Sequence, residues 1–177
     1  MKKVISIIAL ILIFFVIYFL QANFFTLFNI VGVKPNMFIL LMLVVGLFIG
    51  KKYGIPLGII LGIILDLLAG KIIGISSIMF VIIVILADIY DKNFSKDNRM
   101  TIMIMVASTT IIFESGTYML NLLKLSIHLE LISFIKILII EAIYNTILTI
   151  ILYPIIQNLG TLLEENFKEQ KILTRYF

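Results

Sequence analysis

The sequence predicts an all-α integral membrane protein of about six transmembrane helices. Three observations carry that prediction. First, 62% of the 177 residues are hydrophobic and only 14% are charged, and the mean hydropathy is +1.21. Soluble domains run near half apolar and a quarter charged. Second, the apolar residues gather into stretches approaching the ~20 residues that a bilayer-spanning helix needs. Third, lysines and arginines concentrate on alternate connections between those stretches, the bias that orients membrane proteins.

Taken in order, the first stretch, Val4–Leu20, follows Lys2 and Lys3 and so imitates a signal peptide. It is longer than a usual signal core, and Gln21-Ala22-Asn23 lacks a small-residue cleavage site, so it reads as a retained first span. The segment from Gln21 to Pro35 carries Phe24, Phe25 and Phe28, aromatics suited to the membrane interface. Met37–Ile49 and Ile55–Ala69 are short for spans. Merging them would place Lys51 and Lys52 near mid-membrane at about 2.5–3.5 kcal/mol each, so Gly50-Lys51-Lys52-Tyr53-Gly54 reads as a turn. Ile72–Ile89, Thr101–Leu120 and Phe134–Ile156 complete the set. The cluster of Asp88, Asp91, Lys92, Lys96, Asp97 and Arg99 reads as a solvated connection. Residues 1–156 are expected to form one transmembrane domain and 157–177 a cytoplasmic tail. In that tail Leu159, Leu162, Leu163 and Phe167 oppose Glu164, Glu165, Lys168 and Glu169, the pattern of a short surface helix or of a solvated end.

With the N-terminus inside, Lys2, Lys3, Lys51, Lys52, Lys92, Lys96, Arg99, Lys168, Lys171 and Arg175 are cytoplasmic. Only Lys34, Lys71, Lys124 and Lys136 are then outside, so the expected topology has both ends in. The net charge of +4 and pI near 9.3 thereby find a use against anionic headgroups, and no nucleic acid is expected as partner.

Gly46, Gly50, Gly54, Gly58, Gly62, Asp66, Gly70 and Gly74 recur at every fourth residue. At 3.6 residues per turn this spacing draws Gly54, Gly58, Gly62 and Asp66 into one slowly drifting stripe on the third span. A glycine costs roughly 1 kcal/mol relative to alanine in a helix interior, so the stripe calls for close approach of another helix. Asp66, Glu114 and Glu141 lie inside apolar stretches, at depths that allow a shared polar interior together with Asn145. Carboxylates at such depth face protein or water, as a functional site or as hydrogen-bonded packing groups.

Motifs for catalysis are missing. Gly46 to Lys52 has three residues between its glycines and no Ser or Thr after the lysine, so it is no phosphate-binding loop. Cysteine is absent and His128 is the single histidine, which leaves no metal site, no cofactor and no catalytic residue to expect.

The block from Pro35-Asn36 through Gly58, Gly62, Asp66, Gly70 and Gly74, together with length and sixfold hydropathy, resembles the rod shape-determining MreD family of bacteria. Isoleucines stand where that family usually has leucine or phenylalanine. The resemblance implies a non-enzymatic membrane scaffold of the cell-wall elongation machinery, in the cytoplasmic membrane, beside a bitopic MreC-like protein, MreB, and RodA with its transpeptidase. It also implies a fold similar to the substrate-binding subunits of ECF vitamin transporters. Two other classes stay open at this point, a small-molecule carrier of the ECF type and an ion-coupled channel using the interior acids. The first span has Ala9 alone, without the alanine stripe that ECF subunits present to their energising partner.

Overall fold

In the computed structural model, which describes residues 2–70, 72–125 and 131–168, the chain is a bundle of six helices and carries no strand among those residues. They are α1 (Lys2–Phe19), α2 (Met37–Ile49), α3 (Lys51–Leu68), α4 (Ile75–Asn93), α5 (Arg99–Leu125) and α6 (Leu131–Phe167). A π-helical turn (Leu20–Phe24) and a further helical turn (Phe25–Leu27) extend α1. By length and composition, Lys2–Leu27, Arg99–Leu123 and Leu131–Phe167 are able to cross a membrane.

The helices exceed the apolar stretches at several ends because hydropathy registers lipid contact, whereas backbone hydrogen bonding continues into polar residues. Thus α3 begins at Lys51, α5 at Arg99, and α6 runs through Pro154 to Phe167. Residues 157–167, expected in the tail, therefore continue α6, and Gly160, Leu163 and Phe167 are buried. His128, Glu130, Lys71, Glu169, Lys171 and Arg175 lie outside the described residues.

The short helix α2 is the hub. Every residue from Phe38 to Ile49 is buried, and all five other helices pack against it. Its length of about 20 Å falls short of a ~30 Å hydrocarbon core, which matters less for a helix clothed in protein than for one bathed in lipid. Gly50 ends it at φ +81°, a conformation in which a side chain is strained. The corner is sharp. A Cβ on Gly54 would lie 3.3 Å from Val45 Cγ1, although nine residues of straight helix span about 13 Å.

The lysine-bearing ends of α1, α3, α4 and α6 meet at one pole. At the opposite pole Tyr18 donates to the Leu68 carbonyl at 3.1 Å and Gln21 to that of Pro35 at 2.6 Å. There Ile30 and Val33 exchange two backbone hydrogen bonds of 2.9 Å, closing a tight turn over Val31 and Gly32.

Candidate functional site

The glycine stripe is occupied from within the chain. Gly54 faces Val84, Gly58 faces Phe80 and Gly62 faces Ser77, so α3 and α4 run antiparallel in continuous contact. Gly46 of α2 meets Ala87 and the Val84 backbone, which seats α4 in the notch between α2 and α3. Ser77 Oγ donates to the Ile59 carbonyl at 3.1 Å and fastens the same seam. The stripe is therefore an internal seam and offers no open face to another protein.

Asp66 ends the stripe, fully buried, and works on the backbone. Its carboxylate accepts from Gly74 N at 2.8 Å and from Ser76 N at 3.2 Å. Both amides belong to the start of α4, where N–H groups lack intrahelical partners and the helix dipole favours negative charge. Asp66 thus acts as the N-terminal cap of α4, supplied from the preceding helix. Gly74, at φ +102°, provides the left-handed residue from which α4 departs. Gly70 shapes the same connection at φ +61°.

Asn145 ties a second junction. Its Oδ1 accepts from Asn36 N at 2.7 Å, and its Nδ2 donates to Thr110 Oγ1 at 3.0 Å. The amide therefore joins the start of α2 to α5 and α6. Pro35 sits one residue earlier and receives the Gln21 hydrogen bond. Pro35 and Asn36 thus lie where three helices are pinned, a role that no local spacing could have announced.

Glu114 and Glu141 both line a cavity of about 440 Å³ of mixed polar and apolar walls at this pole. Lys34, Asn36, Gln21 and Ser76 share that wall. Asp66 lies behind Ser76 and is engaged by amides, so the expected cluster separates into two parts. Glu114 and Glu141 face the cavity, while Asp66 and Asn145 hold backbone. Among the described residues no group of acids or histidines has the arrangement of a metal site.

At the lysine-bearing pole the connection after α4 is mostly exposed, as expected of it, but Lys96 and the preceding Asp91 are half-buried in a network of ion pairs. Lys96 Nζ bridges Asp91 at 2.8 Å and Glu164 at 2.6 Å, and Lys168 pairs with Asp91 and donates to the Leu47 carbonyl at 2.6 Å. Burial pushes the Asp91 carboxyl up, but hydrogen bonds from Lys168 and Lys96 more than reverse this and hold it below the ordinary carboxylate value. Burial likewise disfavours the Lys96 ammonium, and Asp91 and Glu164 outweigh it, leaving its pKa raised. Gln157 donates to the Lys96 carbonyl and Tyr153 to that of Asp97, each at 2.6 Å, so the whole connection is strapped to α6.

Apolar side chains are exposed on several helices, and one such surface, at the tip of the α1 extension, stands on a braced turn. Leu27, Phe28, Ile30 and Val31 are exposed there, Val31 to 85%. Tyr144 of α6 donates to the Phe28 carbonyl at 2.7 Å, and Lys34 donates to Thr26 Oγ1 at 2.9 Å, so the tip is held in place. Compared with known proteins, the chain matches the family model described as rod shape-determining protein MreD over residues 1–162. No curated protein and no solved structure matches it.

Proposed function

Because the chain belongs to the MreD family of rod shape-determining proteins, we propose that it serves rod shape as a multi-pass scaffold of the bacterial cytoplasmic membrane, binding an MreC-like bitopic partner. The lysine-bearing pole is cytoplasmic in this reading, so α1 starts and α6 ends inside. Lysine and arginine placement supports that orientation. MreB, RodA and its transpeptidase are the further members of the assembly. The scaffold performs no catalysis, and it takes no cofactor.

The observation that carries the reading is the fixed apolar tip, Leu27, Phe28, Ile30 and Val31, on a bundle whose glycine seam is already filled. Exposed apolar side chains on a braced turn form a preorganised contact, which spares the entropy of ordering a loop upon binding. A pull-down with the MreC-like protein tests it. Phe28→Asp should abolish capture without lowering the thermal stability of the purified protein, and depletion should turn rods into spheres. Absence of capture by the unaltered chain would remove the scaffold reading.

The cavity lined by Glu114 and Glu141 favours a second reading, a small-molecule-binding subunit similar to those of ECF transporters. Tight binding of a vitamin by the purified protein would place this reading first.

A further inference from the structure

A groove of about 520 Å³ runs between α1, α2 and α6, separate from the tip and from the cavity lined by Glu114 and Glu141. Ala9, Ile13 and Val16 of α1 line one side, and Leu41 and Ile155 line the other. Its lining turns polar only toward the lysine-bearing pole, where Asn166 donates to Ser6 Oγ at 3.0 Å. Beyond that pair the charge becomes positive. Lys2 precedes Ser6 by four residues and shares its face of α1. Lys3 and Lys52 place their ammonium groups 5.4 and 5.6 Å from the centre of the Tyr53 ring. Tyr53 in turn packs edge-on against Phe167, the neighbour of Asn166. Of the acids at this pole, Asp88 pairs with Lys92, and Asp91 and Glu164 pair with Lys96 and Lys168, while Glu165, beside Asn166, and Asp97 are exposed. Among the described residues, Lys2, Lys3 and Lys52 enter no ion pair.

We propose that this groove seats one acyl chain of an anionic phospholipid whose phosphate is held by Lys2, Lys3 and Lys52. Ser6 and Leu20, near the two ends of the groove, are separated by about 21 Å of helix rise. That length accommodates the acyl chain of one leaflet, about half of a ~30 Å core. The lysines add selectivity that an apolar groove lacks, since each basic residue near the surface strengthens attraction to anionic lipid. Bound in this way, the lipid fills the space between α1 and the rest of the bundle.

The test uses the full chain purified in detergent, with phosphatidylglycerol and phosphatidylcholine of identical chains as probes and native mass spectrometry as readout. Phosphatidylglycerol should bind the unaltered protein preferentially, and the triple variant Lys2→Gln, Lys3→Gln, Lys52→Gln should bind it about a hundredfold more weakly. Ala9→Trp, which fills the groove, should exclude both lipids, whereas Ile8→Trp on the exposed face of α1 should exclude neither. The proposal is overturned by a phosphatidylglycerol preference that survives the lysine changes. It is equally overturned by lipid retention in Ala9→Trp, or by a second copy or a partner's transmembrane segment found in the groove instead. Should Ala9→Trp fail to fold, the lysine variant decides alone. Capture of the MreC-like protein does not enter this readout, so either idea can fail without the other.

Discussion

Two neighbouring glycines on α3 make opposite demands. A Cβ at Gly62 would run into the Ser77 backbone, whereas at Gly58 it would meet Phe80 at an ordinary 3.5 Å. Gly62→Ala should therefore destabilise the protein by about 1–3 kcal/mol through overpacking. Gly58→Ala should be neutral or stabilising by up to about 1 kcal/mol, because alanine is the better helix former. Thermal unfolding in one detergent compares them directly. Asp66→Ala should cost about 2 kcal/mol by stranding the Gly74 and Ser76 amides, and Asp66→Asn less, since it keeps an acceptor. The four-residue spacing made the stripe legible in the sequence, and a carboxylate within an apolar run had to face protein. What the spacing could not reveal was the occupant. Nothing in the apolar face of α4 marks Ser77, Phe80 and Val84 as the residues that fill it, and a cap donated from another helix leaves no local pattern.

Between elements, the ion pairs joining α4 to α6 make stability depend on pH at its extremes. Asp91 has its pKa lowered on folding from an ordinary 3.8, so its contribution is complete above that value and disappears as pH falls through the lowered one. Lys96 has its pKa raised from 10.5, so its contribution is complete below that value and disappears as pH rises through the raised one. A melting temperature measured against pH should be flat between these limits as far as this network is concerned, and should drop at the acid end less in Asp91→Asn than in the unaltered chain. Lys96→Gln should cost about 1–3 kcal/mol near neutrality, between the values for exposed and buried pairs. The sequence displayed the charges but not their partners, because Glu164 lies 68 residues from Lys96 and Lys168 lies 77 from Asp91. A cluster of mixed sign between apolar runs looks solvated until the distant helix that meets it is known.

At the scale of the whole molecule, hydropathy was enough to foresee an all-α bundle, because lipid leaves the backbone few other ways to satisfy its hydrogen bonds. It could not foresee which span would sit in the middle, since α2 reads as one more apolar run. The orientation can be measured without first removing native thiols, because the chain contains no cysteine. Val31→Cys should react with an impermeant thiol reagent added to intact cells, and Ser95→Cys only after the membrane is opened. The reverse pattern would invert the topology. The brevity and central position of α2 also bear on biogenesis. Thirteen residues leaving the ribosome form too short a segment to partition stably into the bilayer by themselves. In the proposed multi-pass arrangement, the Gly50 corner would let α2 wait for α3 and enter as half of a helical hairpin, with its final surroundings assembled only as the later helices arrive. Stretching that corner with a flexible insertion should therefore harm membrane integration during synthesis more than it harms the finished bundle.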